Sequence, residues 1–166
     1  MHKIGEKVVY GSFGVMEIVD VRIEKIANVS RQYYILESVG GSVGSQTFVP
    51  VDKEQLVANM RPLLTKEELM TFIRLIDSLP ALDWIADNRA RSERFKAVIE
   101  SGDRAAMVSM IKLVRATAVR RAEAGKKNYL ADENAMNKAE RLLMTEIATV
   151  MEIDESEVRS FVENNK

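Results

Sequence analysis

The spacing of apolar residues shifts from about two to about 3.6 near residue 61, so the two halves of this chain cannot share one kind of element. In the first sixty residues Val8, Val9 and Tyr10 stop at Gly11 and Gly14. From Val15 onward Ile18, Val21 and Ile23 nearly alternate with Glu17, Asp20, Arg22 and Glu24. Tyr33-Tyr34-Ile35-Leu36 runs into Gly40-Gly41 and Gly44, and 46–49 is a further β-rich run closed by Pro50. Short strands between glycine turns predict a small antiparallel barrel or curled sheet. Six of the eight glycines lie in this half, where tight turns call for positive φ.

The second half reads as helix. Thr65 with Glu68 makes a capping-box pattern, and Leu69, Phe72, Ile73 and Ile76 follow at helical spacing until Pro80. A second helix is predicted over 89–100, burying Phe95, Val98 and Ile99 and ending at Ser101-Gly102. Asp103 is placed to cap a third, with Met107, Met110, Ile111, Val114 and Ala118 as its apolar stripe and Gly125 at its far end. Asp132 is read as the start of a fourth, carrying Met136, Ala139, Leu143, Ile147 and Val150. Asp154 with Glu157 opens a short last one through Val158, Phe161 and Val162. The expected fold class is α+β: an N-terminal β-domain over 1–61, then a bundle of about five helices over 62–166.

Several classes of chemistry find no support in the residues. There is no cysteine, hence no disulfide framework or thiolate metal site, and no apolar run approaches the roughly 20 residues that span a bilayer. The first residues lead straight into a charged alternating pattern without a secretory signal, which points to a soluble, cytoplasmic protein. The sole histidine is His2, beside the terminus, a poor place for a general base. Gly40-Gly41-Ser42-Val43-Gly44 lacks the lysine and following helix of a phosphate-binding loop and reads as a hairpin turn. The expectation is a non-enzyme with neither cofactor nor metal.

Charge supplies the positive evidence. The formal total is −1, yet 84–130 holds eleven cations against five carboxylates (+6), while 131–166 holds four cations against nine carboxylates (−5). A pooled positive field attracts polyanions whatever the net charge. Arg104 and Arg115, eleven residues apart, share one helix face with Lys112 close by, and Arg120, Arg121, Lys126 and Lys127 continue the series. This predicts an electrostatic platform on the third helix, recognising backbone and shape with little sequence readout. The only tryptophan, Trp84, heads the segment. In a continuous helix it would share the Phe95 face and be core. After a connector at Leu79-Pro80-Ala81-Leu82-Asp83 it would stand at a helix entrance, able to press on a base step.

The order of features resembles a known family. Lys3-Ile4-Gly5-Glu6-Lys7-Val8-Val9-Tyr10, Gly14-Val15, Tyr33-Tyr34-Ile35-Leu36 and Phe48-Val49-Pro50-Val51-Asp52 are similar to the RNA polymerase-interacting domain of CarD-like regulators and transcription-repair coupling factors. The tryptophan, Arg94-Phe95-Lys96, Ser101-Gly102-Asp103, Leu130, Glu133, Ala139, Leu142-Leu143 and Glu146-Ile147-Ala148 resemble the helical domain of the CarD/CdnL family. The resemblance implies a Tudor-like β-domain docking on the β subunit of bacterial RNA polymerase. It also implies a helical domain that touches promoter DNA, mostly backbone and minor groove, at the upstream edge of the bubble and stabilises the open complex. Trp84 is then the wedge, with Arg89, Arg91, Arg94, Lys96 and Arg115 as DNA-contact candidates, and Arg22, Glu24 and Phe48 as polymerase-contact candidates. The chain is expected to be a monomer when free. The alternative is a protein–protein adaptor without DNA contact, its basic surface meeting an acidic partner and Trp84 serving as core or interface anchor.

Overall fold

A computed structural model describes residues 1–41 and 44–166. The chain divides into two compact units, Met1–Leu64 and Thr65–Lys166. The division falls three residues beyond the Arg61/Pro62 boundary expected from the sequence, because Met60–Pro62 is itself a strand of the first unit.

The first unit is a five-stranded antiparallel sheet: β1 (Lys7–Tyr10), β2 (Val15–Ile26), β3 (Val29–Ser38), β4 (Gln46–Pro50) and β5 (Met60–Pro62), in the order β4-β3-β2-β1-β5. A single-turn helix, α1 (Glu54–Ala58), links the last two strands. One face buries Val8, Met16, Ile18, Tyr34, Leu36, Val49 and Met60, with Val21 packed beside them. The imperfect alternation in β2 has a local cause. The register against β3 slips between Ile18 and Asp20, so one extra residue lets Ile18 and Val21 face the same core. The β2–β3 hairpin closes through Ala27 and Asn28, both at positive φ (50° and 64°), the geometry that matches the right-handed strand twist. The predicted turn at 40–44 runs through residues 42 and 43, which lie outside the described residues.

The second unit holds five α-helices among the described residues: α2 (Lys66–Leu75), α3 (Asn88–Ser101), α4 (Arg104–Glu123), α5 (Leu130–Met151) and α6 (Val158–Asn165). Its starts and stops are chemical. Thr65 Oγ1 accepts from Glu68 N (3.1 Å) while the Glu68 carboxylate accepts from Thr65 N (2.8 Å), a complete capping box. Asp87 accepts from Ala90 N and Asp103 from Ala106 N, capping α3 and α4. Gly102 ends α3 in the left-handed conformation, φ 62°. The core joins Phe95, Val98 and Ile99 of α3 to Met107, Met110, Ile111 and Val114 of α4 and to Ala139 and Leu143 of α5. Two boundaries differ from expectation. Helix α2 stops at Leu75 and a 3₁₀ turn, Ile76–Ser78, precedes Pro80. Helix α5 starts at Leu130, so Asp132 lies inside its first turn and is buried rather than capping it.

Candidate functional site

Two groups of side chains stand out, one on each unit. On the sheet, Asp20, Arg22 and Glu24 alternate along one face of β2, and Arg22 bonds both neighbours, Nη1 to Asp20 at 2.9 Å and Nε to Glu24 at 2.7 Å. The two carboxylates raise the Arg22 pKa above its ordinary value, chiefly through the Glu24 bond. The register then sets two rows across the strands: Arg22 opposite Tyr33 opposite Pro50, and Asp20 opposite Ile35 opposite Phe48. Phe48 meets Tyr33 edge-on, centroids 6.1 Å apart, and stays 37% exposed. The structure therefore gathers Arg22, Glu24 and Phe48 onto one face. Strand β4 also ends the sheet. Since Val51 N bonds Gln32 O, the alternate residues Val49 and Thr47 turn their backbone toward β3, and Phe48 turns its N–H and C=O off the edge. Pro50 fits there because the edge position demands no donor.

On the helical unit the connector 79–87 is not helix, yet it is held firmly. Lys112 Nζ, from α4, donates to the carbonyls of Ile76, Asp77 and Leu79 (2.7, 3.1 and 2.6 Å), and Leu82 N donates to Ser109 O. Leu79 and Leu82 pack on the bundle core. Trp84 sits on this strap and is 40% exposed, neither sealed in the core nor free of contacts.

What lies beneath Trp84 overturns one expectation. Arg91 is 1% exposed and cannot meet a phosphate. Its guanidinium lies over the indole, 4.2 Å from the centroid, and 4.7 Å from the centroid of Tyr129. Nε donates to Asp132 of α5 (2.9 Å), Nη1 to Ile85 O (2.8 Å) and Nη2 to Asn88 Oδ1 (2.8 Å). Arg91 is thus a support inside the unit, because a cation this deep needs a paired carboxylate and filled donors. Arg121 covers Tyr129 at 4.0 Å, so aromatic and cationic groups alternate at this end of the bundle. Tyr129 was not singled out in the sequence; an aromatic ring directly after Lys126-Lys127-Asn128 was the available signal.

Three members of the predicted platform on α4 are engaged within the unit. Arg104 forks onto Glu146 (2.8 and 2.6 Å), Arg115 bonds Glu140, and Lys112 is spent on carbonyls. Three of the eleven cations of 84–130, Arg91, Arg104 and Arg115, thus face carboxylates of α5. Arg115 keeps a 62% exposed side chain, but it lines an open groove of about 560 Å³ among α4, α5 and α6, sharing no contact with Trp84. Arg89 and Lys96 stand on the outer face of α3 in one-turn pairs with Glu93 (3.2 Å) and Glu100 (3.7 Å). Such exposed pairs exchange readily for a phosphate. Arg94, Lys126 and Lys127 are exposed and carry no side-chain partner among the described residues.

Among the described residues no cluster of histidine or acidic side chains could hold a metal ion, and no helix is long and apolar enough to cross a membrane. The first unit, a Tudor-like sheet with an open edge and an exposed aromatic, belongs to the class of small β interaction domains. More narrowly, residues 2–64 match the family model of the CarD-like/TRCF RID domain, consistent with a CarD-like family. That domain family is an interaction module, and the match points to an RNA polymerase-interacting, transcription-related role for the first unit. No curated protein matches the chain.

Proposed function

We propose that this protein bridges the β subunit of bacterial RNA polymerase and promoter DNA, and that it stabilises the open complex from the upstream edge of the bubble. The observation that carries the reading is Trp84, half-presented on a strapped connector in a chain whose other unit is a polymerase-interacting domain. The face bearing Arg22, Glu24 and Phe48, with the free edge of β4, supports docking by strand addition, in which backbone bonds give affinity and alternate side chains give register. Docking raises the effective concentration of the helical unit at the DNA, so weak contacts suffice. Arg89, Arg94 and Lys96 then serve as phosphate partners on α3, with Lys126 and Lys127 in the segment between α4 and α5.

Trp84 binds separated strands better than closed duplex, and only that difference moves the closed-to-open equilibrium. A tenfold preference supplies about 1.4 kcal/mol. The test is open-complex lifetime with bacterial polymerase. The wild type lengthens it; Trp84→Ala abolishes the gain while leaving polymerase binding unchanged. A lifetime indifferent to the protein rejects the proposal. Replacing Arg89, Arg94 and Lys96 together lowers the salt dependence of DNA association.

A further inference from the structure

We infer that Arg91 is a positioning residue that makes Trp84 a one-faced stacking platform, suited to cap the last base at a strand junction and unsuited to intercalate into continuous duplex. The inference rests on the DNA-contacting reading of Trp84 above and extends it to the form of DNA preferred.

The argument begins with what Arg91 holds. Its guanidinium covers one face of the indole at 4.2 Å, and its Nη1 bonds Ile85 O, the carbonyl directly after Trp84. A weaker contact to Ala86 O (3.4 Å) extends the grip. One side chain therefore fixes both the ring and the backbone that carries it. Arg91 itself cannot swing away. Asp132, 4% exposed, holds Nε from α5, and Asn88 holds Nη2 from the first turn of α3. Asp132 Oδ1 has no hydrogen-bond partner, so the pair relies on this single bond and the guanidinium is directed by its other acceptors.

Two consequences follow. Intercalation between two stacked bases requires both faces of a ring, and the face under Arg91 is occupied. A base at a junction needs one face only. A fixed ring also loses little rotamer freedom on contact, which is where preorganisation raises affinity. A ring stacks directly on an available base, and continuous duplex offers no such base without unstacking.

Trp84 is the chain's only tryptophan, so its fluorescence reports this ring alone. The experiment titrates the full-length protein with a forked DNA and with a continuous duplex of equal length and charge. It compares wild type, Trp84→Ala and the charge-neutral pair Arg91→Met/Asp132→Leu, with labelled DNA where the tryptophan is absent. The wild type is expected to prefer the fork about tenfold. The pair variant, folded by circular dichroism, is expected to lose that preference while keeping its salt slope. Its combination with Trp84→Ala should show no additional loss.

A pair variant that retains the fork preference overturns the inference. So does one that weakens binding further in the Trp84→Ala background with a reduced salt slope, since Arg91 would then be acting on phosphate. Should the pair variant fail to fold, Arg91→Lys decides. It keeps the charge beside Asp132 but not the flat cover, so an undiminished fork preference overturns the inference. A wild type with no fork preference, together with a Trp84→Ala variant that still lengthens open-complex lifetime, rejects the parent proposal. A parent result that stands beside an unaffected pair variant rejects the role of Arg91 alone.

Discussion

The sheet and the helical unit handle their charges in opposite ways. On β2 the ions Asp20, Arg22 and Glu24 neutralise one another along a single strand, at the surface, between residues two apart. In the bundle Arg91 and Arg104 reach across to Asp132 and Glu146, carboxylates 41 and 42 residues away, and both acids are almost fully buried. A local network leaves the exposed face intact for a partner. A long-range one consumes charge that the linear sequence seems to offer to solvent. The lesson is that a run of cations predicts a surface only after the elements that pack on it are known.

The contrast can be broken most severely at Asp132. Asp132→Ala leaves the Arg91 cation buried and unpaired, and is expected to cost the helical unit about 3–5 kcal/mol in denaturant titration. Glu24→Ala, by the same measurement, should leave the midpoint unchanged. Equal effects would show that burial does not separate the two networks. Next in size, Phe48→Asp should weaken polymerase binding about tenfold, or about 1.4 kcal/mol, with DNA association by the isolated protein unchanged. A loss of both would deny that the two units divide the work.

Smaller is the capping box: Thr65→Ala frees an N–H at the start of α2 and should cost about 1 kcal/mol, read as a lower melting temperature of the helical signal. The smallest effect lies at the N-terminus. His2 Nδ1 lies 2.7 Å from Glu6 Oε1, and this bond, with the Lys3 backbone, holds the Glu6 pKa below the ordinary carboxylate value. A depressed carboxylate stabilises the fold above its unfolded pKa, and that contribution is lost as pH falls through the folded value. His2→Ala should therefore move the Glu6 titration upward by NMR and flatten the acid limb of stability; an unmoved Glu6 would deny the contact in solution.

Much of the architecture could be read without coordinates because its signals are local. The capping residues Thr65 and Asp103 and the stop at Gly102 act within one turn, so their spacing is their mechanism. A turn without glycine was harder to read: Asn28 tolerates positive φ, but nothing in Ala27 announces it. The bulge beside Val19 disguised a regular strand, and β5 is too short to show a period.

At the site the difference is sharper. That a non-helical connector precedes α3 in the region of Trp84, that cations cluster after it, and that the first half resembles the polymerase-interacting domain were contained in the order of residues. That Arg91 faces inward, that Arg104 and Arg115 are matched by α5, and that Tyr129 and Arg121 join the indole depended on packing. Local sequence sets which face of a helix is apolar, through a repeat of 3.6. Only the meeting of distant helices decides whether a charge on that face's border is left in water or drawn against an opposite charge, because that choice turns on a desolvation cost no neighbouring residue can reveal.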